Sequence, residues 1–213
     1  MSEQFDLFAD PPVPGPPAQP KNGPRILYFD LETQKSAGDV GGWGNSHLML
    51  LAVGVVWDSL EEDYFVFRES QAQDLVQKIV GAQLVVGYNV QKFDYSVLQP
   101  YANPLGVDLQ EIPTFDMLVD IHKRLNHRLP LDNLARCTLG EAKSADGLQS
   151  LQWFKEGKFD KIIEYCKQDV KVTRDLFLFG EKNGYVEYEN RNGARQRLAV
   201  NWNSVQLDQA PNP

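Results

Sequence analysis

The stretch RILYFDLETQ, residues 25–34, decides how the rest of the chain is read. Ile26, Leu27, Tyr28 and Phe29 form an apolar run of strand type, yet the run ends on Asp30 and Glu32 with one residue between them. Side chains alternate faces along a strand, so the two carboxylates point the same way, roughly 6–7 Å apart along the backbone. Taken alone the pair has an ordinary explanation, since acids at a strand end often cap the following turn. The remainder of the chain decides between that explanation and a shared site.

With 213 residues the protein is expected to be one domain with tails, large enough to bury a core without disulfides. A net charge of −8 argues against coating nucleic acid by bulk charge and leaves room for a local basic groove. Cys137 and Cys166 stand in no metal-type spacing and fit a reducing cytoplasm. The first ten residues, MSEQFDLFAD, have neither a basic segment nor an apolar one, so no signal peptide is expected. The longest apolar run, LMLLAVGVVW at 48–57, is about half a membrane span. The expectation is a cytoplasmic protein with no membrane partner.

Residues 1–24 include PPVPGPPAQPKNGP, which proline excludes from helices and sheet interiors, and read as an extended, disordered tail. The segment 25–203 reads as globular, and 204–213 as a C-terminal tail. Strands are expected at RILYFDL, LMLLAVGVVW and DYFVFR, forming a meander, with a Gly-rich loop (KSAGDVGGWGN) between the first two. ESQAQDLVQKIVGA reads as a helix with Ser70 as its cap, QLVVGYN as a buried strand, FDYSVLQPYA as a helix and IPTFDML as a fifth strand. From there the pattern is helical to about residue 184, and YVEYEN is a late edge strand. The order implies an α/β domain with a mixed five-stranded sheet flanked by helices.

Two further acids bear on the first pair. In LVVGYNVQKFDYSVL a buried strand runs into Asn89 and then Phe93-Asp94, where Asp94 is either part of a site or the cap of the next helix. In EYCKQDVKVTRDLF, Tyr165 and Asp169 are four apart and lie one above the other on a helix face. Together, DxET at 30–33, NxxxFD at 89–94 and YxxxD at 165–169 resemble the DEDD superfamily of 3′–5′ exonucleases. The tyrosine marks the DEDDy branch, which includes the exonuclease domain of family B DNA polymerases; the VGGW loop resembles its bacterial stand-alone members. FDMLVDIHKRL and LDNLARCTLG are similar to that superfamily too, and the likeness spans about residues 24–182.

The resemblance implies a ribonuclease H-like fold and phosphodiester hydrolysis at single-stranded 3′ ends, of DNA or of RNA. Four carboxylates in one pocket require cations, and an all-oxygen donor set suits two Mg²⁺ or Mn²⁺ ions rather than zinc. By resemblance Asp30 would bridge the ions, Glu32 and Asp169 would bind the one carrying the attacking water, and Asp94 would act on the second through water. Tyr165 would orient the nucleophile, and none of His47, His122 and His127 stands where the histidine branch places its base. Thr33 and Asn89 fall within the motifs and, with Phe93 and Trp43 as stacking surfaces, are the candidate substrate contacts. At such a position Phe93 is more often core, and Trp43, in a Gly-rich loop, is the better stacking candidate. Basic residues such as Lys123, Arg128 and Lys167 read mostly as solvated faces. A catalytically silent interaction module is the competing reading.

Finally, QFDLF places Gln4, Leu7 and Phe8 at the tip of the tail, where Leu7 and Phe8 reach no core. The peptide resembles the short sequence with which bacterial replication and repair proteins bind the sliding clamp, and a proline-rich tether spans about 30 Å per ten residues.

Overall fold

The structure, a computed structural model, describes residues 23–141 and 147–204. Gln4, Leu7 and Phe8, the proline-rich tail through residue 22 and residues 205–213 lie outside the described residues.

Five strands make one sheet: β1 (Ile26–Thr33), β2 (Leu51–Asp58), β3 (Asp63–Arg68), β4 (Leu84–Gly87) and β5 (Thr114–Asp116), in the order β3-β2-β1-β4-β5. The first three are the expected antiparallel meander, and β4 and β5 add on parallel to β1, so the sheet is mixed as expected. Helices are α1 (Ala72–Val80), α2 (Tyr95–Ala102), α3 (Met117–Leu125), α4 (Leu131–Thr138), α5 (Gly147–Lys155) and α6 (Phe159–Asn183).

Strand alternation sorts β1 between two cores. Leu27, Phe29 and Leu31 face one side, packed with Leu75 and Ile79 of α1 and Val97 and Leu98 of α2. Tyr28 faces the other, with Val53 and Val55 of β2, Met117 and Ile121 of α3, and Ile162, Cys166, Val170 and Phe177 of α6. Asp30 and Glu32 share the face of Tyr28, and on β2 they stand opposite Val55 and Val53. They therefore look toward α6, a helix of 25 residues closed by Gly184 in the left-handed conformation.

Several boundaries differ from expectation. The second strand starts at Leu51, because Trp43–Leu48 form a 3₁₀ segment and Leu50 has φ 61°. Ser70 lies inside a 3₁₀ turn and does not cap α1; the Arg68 amide donates to Gln71 Oε1 there, and the helix begins at Ala72. The fifth strand spans only Thr114–Asp116, since Asp116 already caps α3. The late strand β6 (Tyr185–Glu189) joins no edge of the main sheet; it pairs with β7 (Arg195–Ala199) as a separate hairpin packed on α4 and α6.

Candidate active site

The end of β1 and the middle of α6 meet across the second core. One carboxylate oxygen each from Asp30, Glu32 and Asp169 lies within 4.8 Å of the others. These three acids form the floor of a cleft of about 620 Å³ whose walls include Thr33, Trp43, Asn89, Phe93, Leu148 and Tyr165. Gathering three negative charges costs free energy unless a cation offsets it, and a set of carboxylate oxygens is what hard divalent ions take.

Asp94 is placed differently. It ends a single π-type turn (Val90–Asp94) leading out of β4, is 2 % exposed, and does not reach the cleft wall. It makes no side-chain cap and already has helical φ/ψ, so the helix-cap explanation fails. Burial above all, then the charges of Asp116 and Glu32, holds its carboxyl well above the usual range, against hydrogen bonds from the amides of Asp94 and Leu31. Its Oδ1 is buried without a hydrogen-bond partner among the described residues. A buried acceptor left open beside an acidic floor is what a nearby cation would satisfy, so the residues present here fit a divalent metal ion.

Tyr165 stands one turn before Asp169 on α6, 3 % exposed, with its ring 6.1 Å from that of Trp153. Burial first, then the charges of Asp169, Glu32 and Asp30, pushes its hydroxyl well above the usual tyrosine range. It remains an O–H, a hydrogen-bond donor and not a base.

Trp43 is 73 % exposed, presented by a turn in which Gly41 and Gly42 have φ 81° and 121°. Its ring sits 5.9 Å from that of Phe93, edge to face, while Phe93 also packs against the first core. Thr33 turns its hydroxyl to the Lys35 carbonyl at 2.9 Å. Asn89 occupies the left-handed region, φ 69°, which asparagine tolerates better than most residues.

Asp116 and Cys166 were not foreseen from sequence, and Arg128 stood there only among basic residues read mostly as solvated faces. Asp116 receives the amides of Asn89 (2.9 Å), Gln91 (3.1 Å) and Leu118 (3.0 Å), so one carboxylate fixes both the motif turn and the start of α3. An Asp between a short strand and an amphipathic helix is a capping signal that would have found half of that role. Cys166 donates its S–H to Asp30 Oδ2 at 3.5 Å; burial above all keeps the thiol protonated, so it braces the acid and is no metal ligand. Arg128 donates to Asn89 Oδ1 at 2.9 Å.

A mixed sheet with helices on both faces and an acidic floor at the exit of its central strand make an α/β domain with a candidate site for a divalent cation. The chain belongs to the RNase_H superfamily, whose family model matches residues 27–178. Among solved structures it is similar to the family B DNA polymerase from the hyperthermophilic archaeon Pyrobaculum calidifontis, at 19% identity and TM-score 0.53. That alignment covers 75% of this chain and 25% of the polymerase chain, a likeness of fold. None of the curated proteins matches the chain in sequence. Among the described residues no helix is long and apolar enough to cross a membrane.

Proposed function

We propose that the chain is a metal-dependent 3′–5′ exonuclease of the DEDDy type that releases nucleotides from single-stranded ends, with DNA favoured. The observation carrying this is the convergence of Asp30, Glu32 and Asp169 within 4.8 Å at the floor of a cleft that Tyr165 also lines. Bound there, two Mg²⁺ or Mn²⁺ ions would supply positive charge for the phosphoryl displacement and acidify water. Asp30, Glu32 and Asp169 hold that charge, and Asp94 supports it from behind the cleft wall. Cys166 fixes the orientation of Asp30 through its S–H. Tyr165 donates its O–H toward the attacking side and accepts no proton, because its hydroxyl stays protonated. Trp43, Phe93, Asn89 and Thr33 present apolar and amide surface to the terminal nucleotide.

In this reading residues 25–203 are the nuclease domain, acting in a cytoplasmic, stand-alone form. Residues 1–24 tether it through Gln4, Leu7 and Phe8 to a sliding clamp, which raises its local concentration at DNA. Changing Leu7 and Phe8 to Ala should abolish clamp pull-down; retention of the clamp refutes the tether.

Matched 5′-labelled and 3′-labelled DNA and RNA strands, incubated with Mg²⁺, Mn²⁺ or EDTA, test the activity. The expected result is a descending ladder from the 5′ label, immediate mononucleotide from the 3′ label, and neither with EDTA or with Asp30→Ala. A ladder from the 3′-labelled strand reverses the polarity, stronger RNA turnover changes the substrate, and full activity of Asp30→Ala removes the site.

A further inference from the structure

Beside the acidic cleft lies a second hollow of about 430 Å³ lined by Trp43, Ser46, Asn89, Lys92, Phe93 and Arg128. Trp43, Asn89 and Phe93 line both, so the edge-to-face Trp43–Phe93 pair forms a ridge between an acidic chamber and a cationic one. Several other cations of this acidic surface are tied to carboxylates. Lys78 is paired with Asp58 and Glu61, Arg124 with Asp120, Lys171 with Glu141 and Asp175, and Arg197 with Glu187. Lys92 and Arg128 are exposed, and among the described residues neither has a carboxylate partner. Arg128 is held all the same: its guanidinium donates to Asn89 Oδ1 at 2.9 Å, and the Asn89 amide is pinned to Asp116 at 2.9 Å. One positive charge held in place at Arg128 and a second, exposed one at Lys92, next to exposed aromatic surface, suit a single-stranded nucleic acid: phosphates take the charge and a base takes the ring.

We propose that this chamber binds the sugar-phosphate backbone just upstream of the terminal nucleotide. Lys92 and Arg128 contact its phosphates as the strand crosses the Trp43–Phe93 ridge. The inference rests on the reading of the neighbouring cleft as the seat of the terminal nucleotide, and it gives the strand its path: the ridge separates the residue to be cut from the residues that anchor it. It also explains how a chain of net charge −8 grips a polyanion, since two placed cations act where bulk charge does not.

The test is fluorescence anisotropy of a short dye-labelled oligothymidylate over a salt series, with Ca²⁺ present so that the strand is not consumed. Lys92→Gln and Arg128→Gln should each weaken binding at least about threefold and lower the log–log salt slope by about 0.7, one phosphate contact apiece. Lys182→Gln makes the same charge change about 20 Å along α6 from Asp169 and should alter neither quantity. Unchanged affinity and slope in both variants, an equal loss in Lys182→Gln, or no binding by the parent chain overturns the proposal. Because affinity is read without turnover, a parent that binds the strand through these residues yet releases no nucleotide contradicts the nuclease reading and leaves this one standing.

Discussion

Tyr165 is the residue whose chemistry is most constrained. Buried against Trp153 and facing three acids, its hydroxyl is held in the protonated state. Tyr165→Phe should therefore slow nucleotide release by about 10–100-fold, the range of a lost orienting hydrogen bond, with the metal requirement kept. Between pH 7 and pH 10 the rate profiles of parent and variant should have the same shape. A rate that rises with pH over this range in the parent and not in the variant would make Tyr165 a base. Asp30, Glu32, Tyr165 and Asp169 were legible in the sequence because each pair rests on a local period, two along the strand and four along the helix. Cys166 was not: its partner Asp30 is 136 positions away, and nothing in YCKQD marks a thiol as a brace. The same holds for Arg128, whose meaning depends on a turn 39 positions earlier.

Among the elements, the turn after β4 depends on Asp116 more than on its own residues. Removing this carboxylate strands the amides of Asn89, Gln91 and Leu118 at once. Asp116→Ala should cost about 2–3 kcal/mol by denaturant unfolding and weaken strand binding, because Asn89 and Arg128 lose their common anchor. A stable variant with unaltered binding would show that the turn holds itself. Helix α6 is registered at its far end by Gly180, where an added Cβ would collide with the Trp202 ring stacked on Phe177. Gly180→Ala should cost about 1–3 kcal/mol by the same measurement, and no loss would mean that Trp202 is free to shift. The apolar strands and the long helices were readable from periodicity alone. The hairpin β6–β7 was not, since RQRLA is polar and mostly exposed and pairs with Tyr185–Glu189 away from the sheet. The 3₁₀ segment Trp43–Leu48 was hidden by the apolar run that follows it.

For the whole molecule, the first core is clamped at one corner by Asp58, a fully buried acid between Arg25 Nε at 2.8 Å and Lys78 Nζ at 2.7 Å. Burial pulls its carboxyl up, but the hydrogen bonds and charge of Lys78, the Leu60 amide and Arg25 outweigh that and hold it below its usual value. A lowered folded pKa means the contribution is complete above the unfolded value of about 3.9 and is lost as pH falls through the folded value. Asp58→Asn should lower stability at pH 7 by about 3 kcal/mol and flatten the acid limb of the stability profile; an unchanged limb would assign acid unfolding to other groups. The acidic floor works in the opposite sense, since three carboxylates held together destabilise the fold until a cation joins them. The most direct measurement is thus thermal unfolding of the parent and Asp169→Asn, each in EDTA and in excess Mn²⁺. At about 100 times its dissociation constant the ion should stabilise the parent by about 2.7 kcal/mol, roughly 5–10 °C. Asp169→Asn should match or exceed the parent in EDTA and gain little from Mn²⁺. A parent indifferent to Mn²⁺, or a variant that gains as much as the parent, contradicts the metal site on which the account rests.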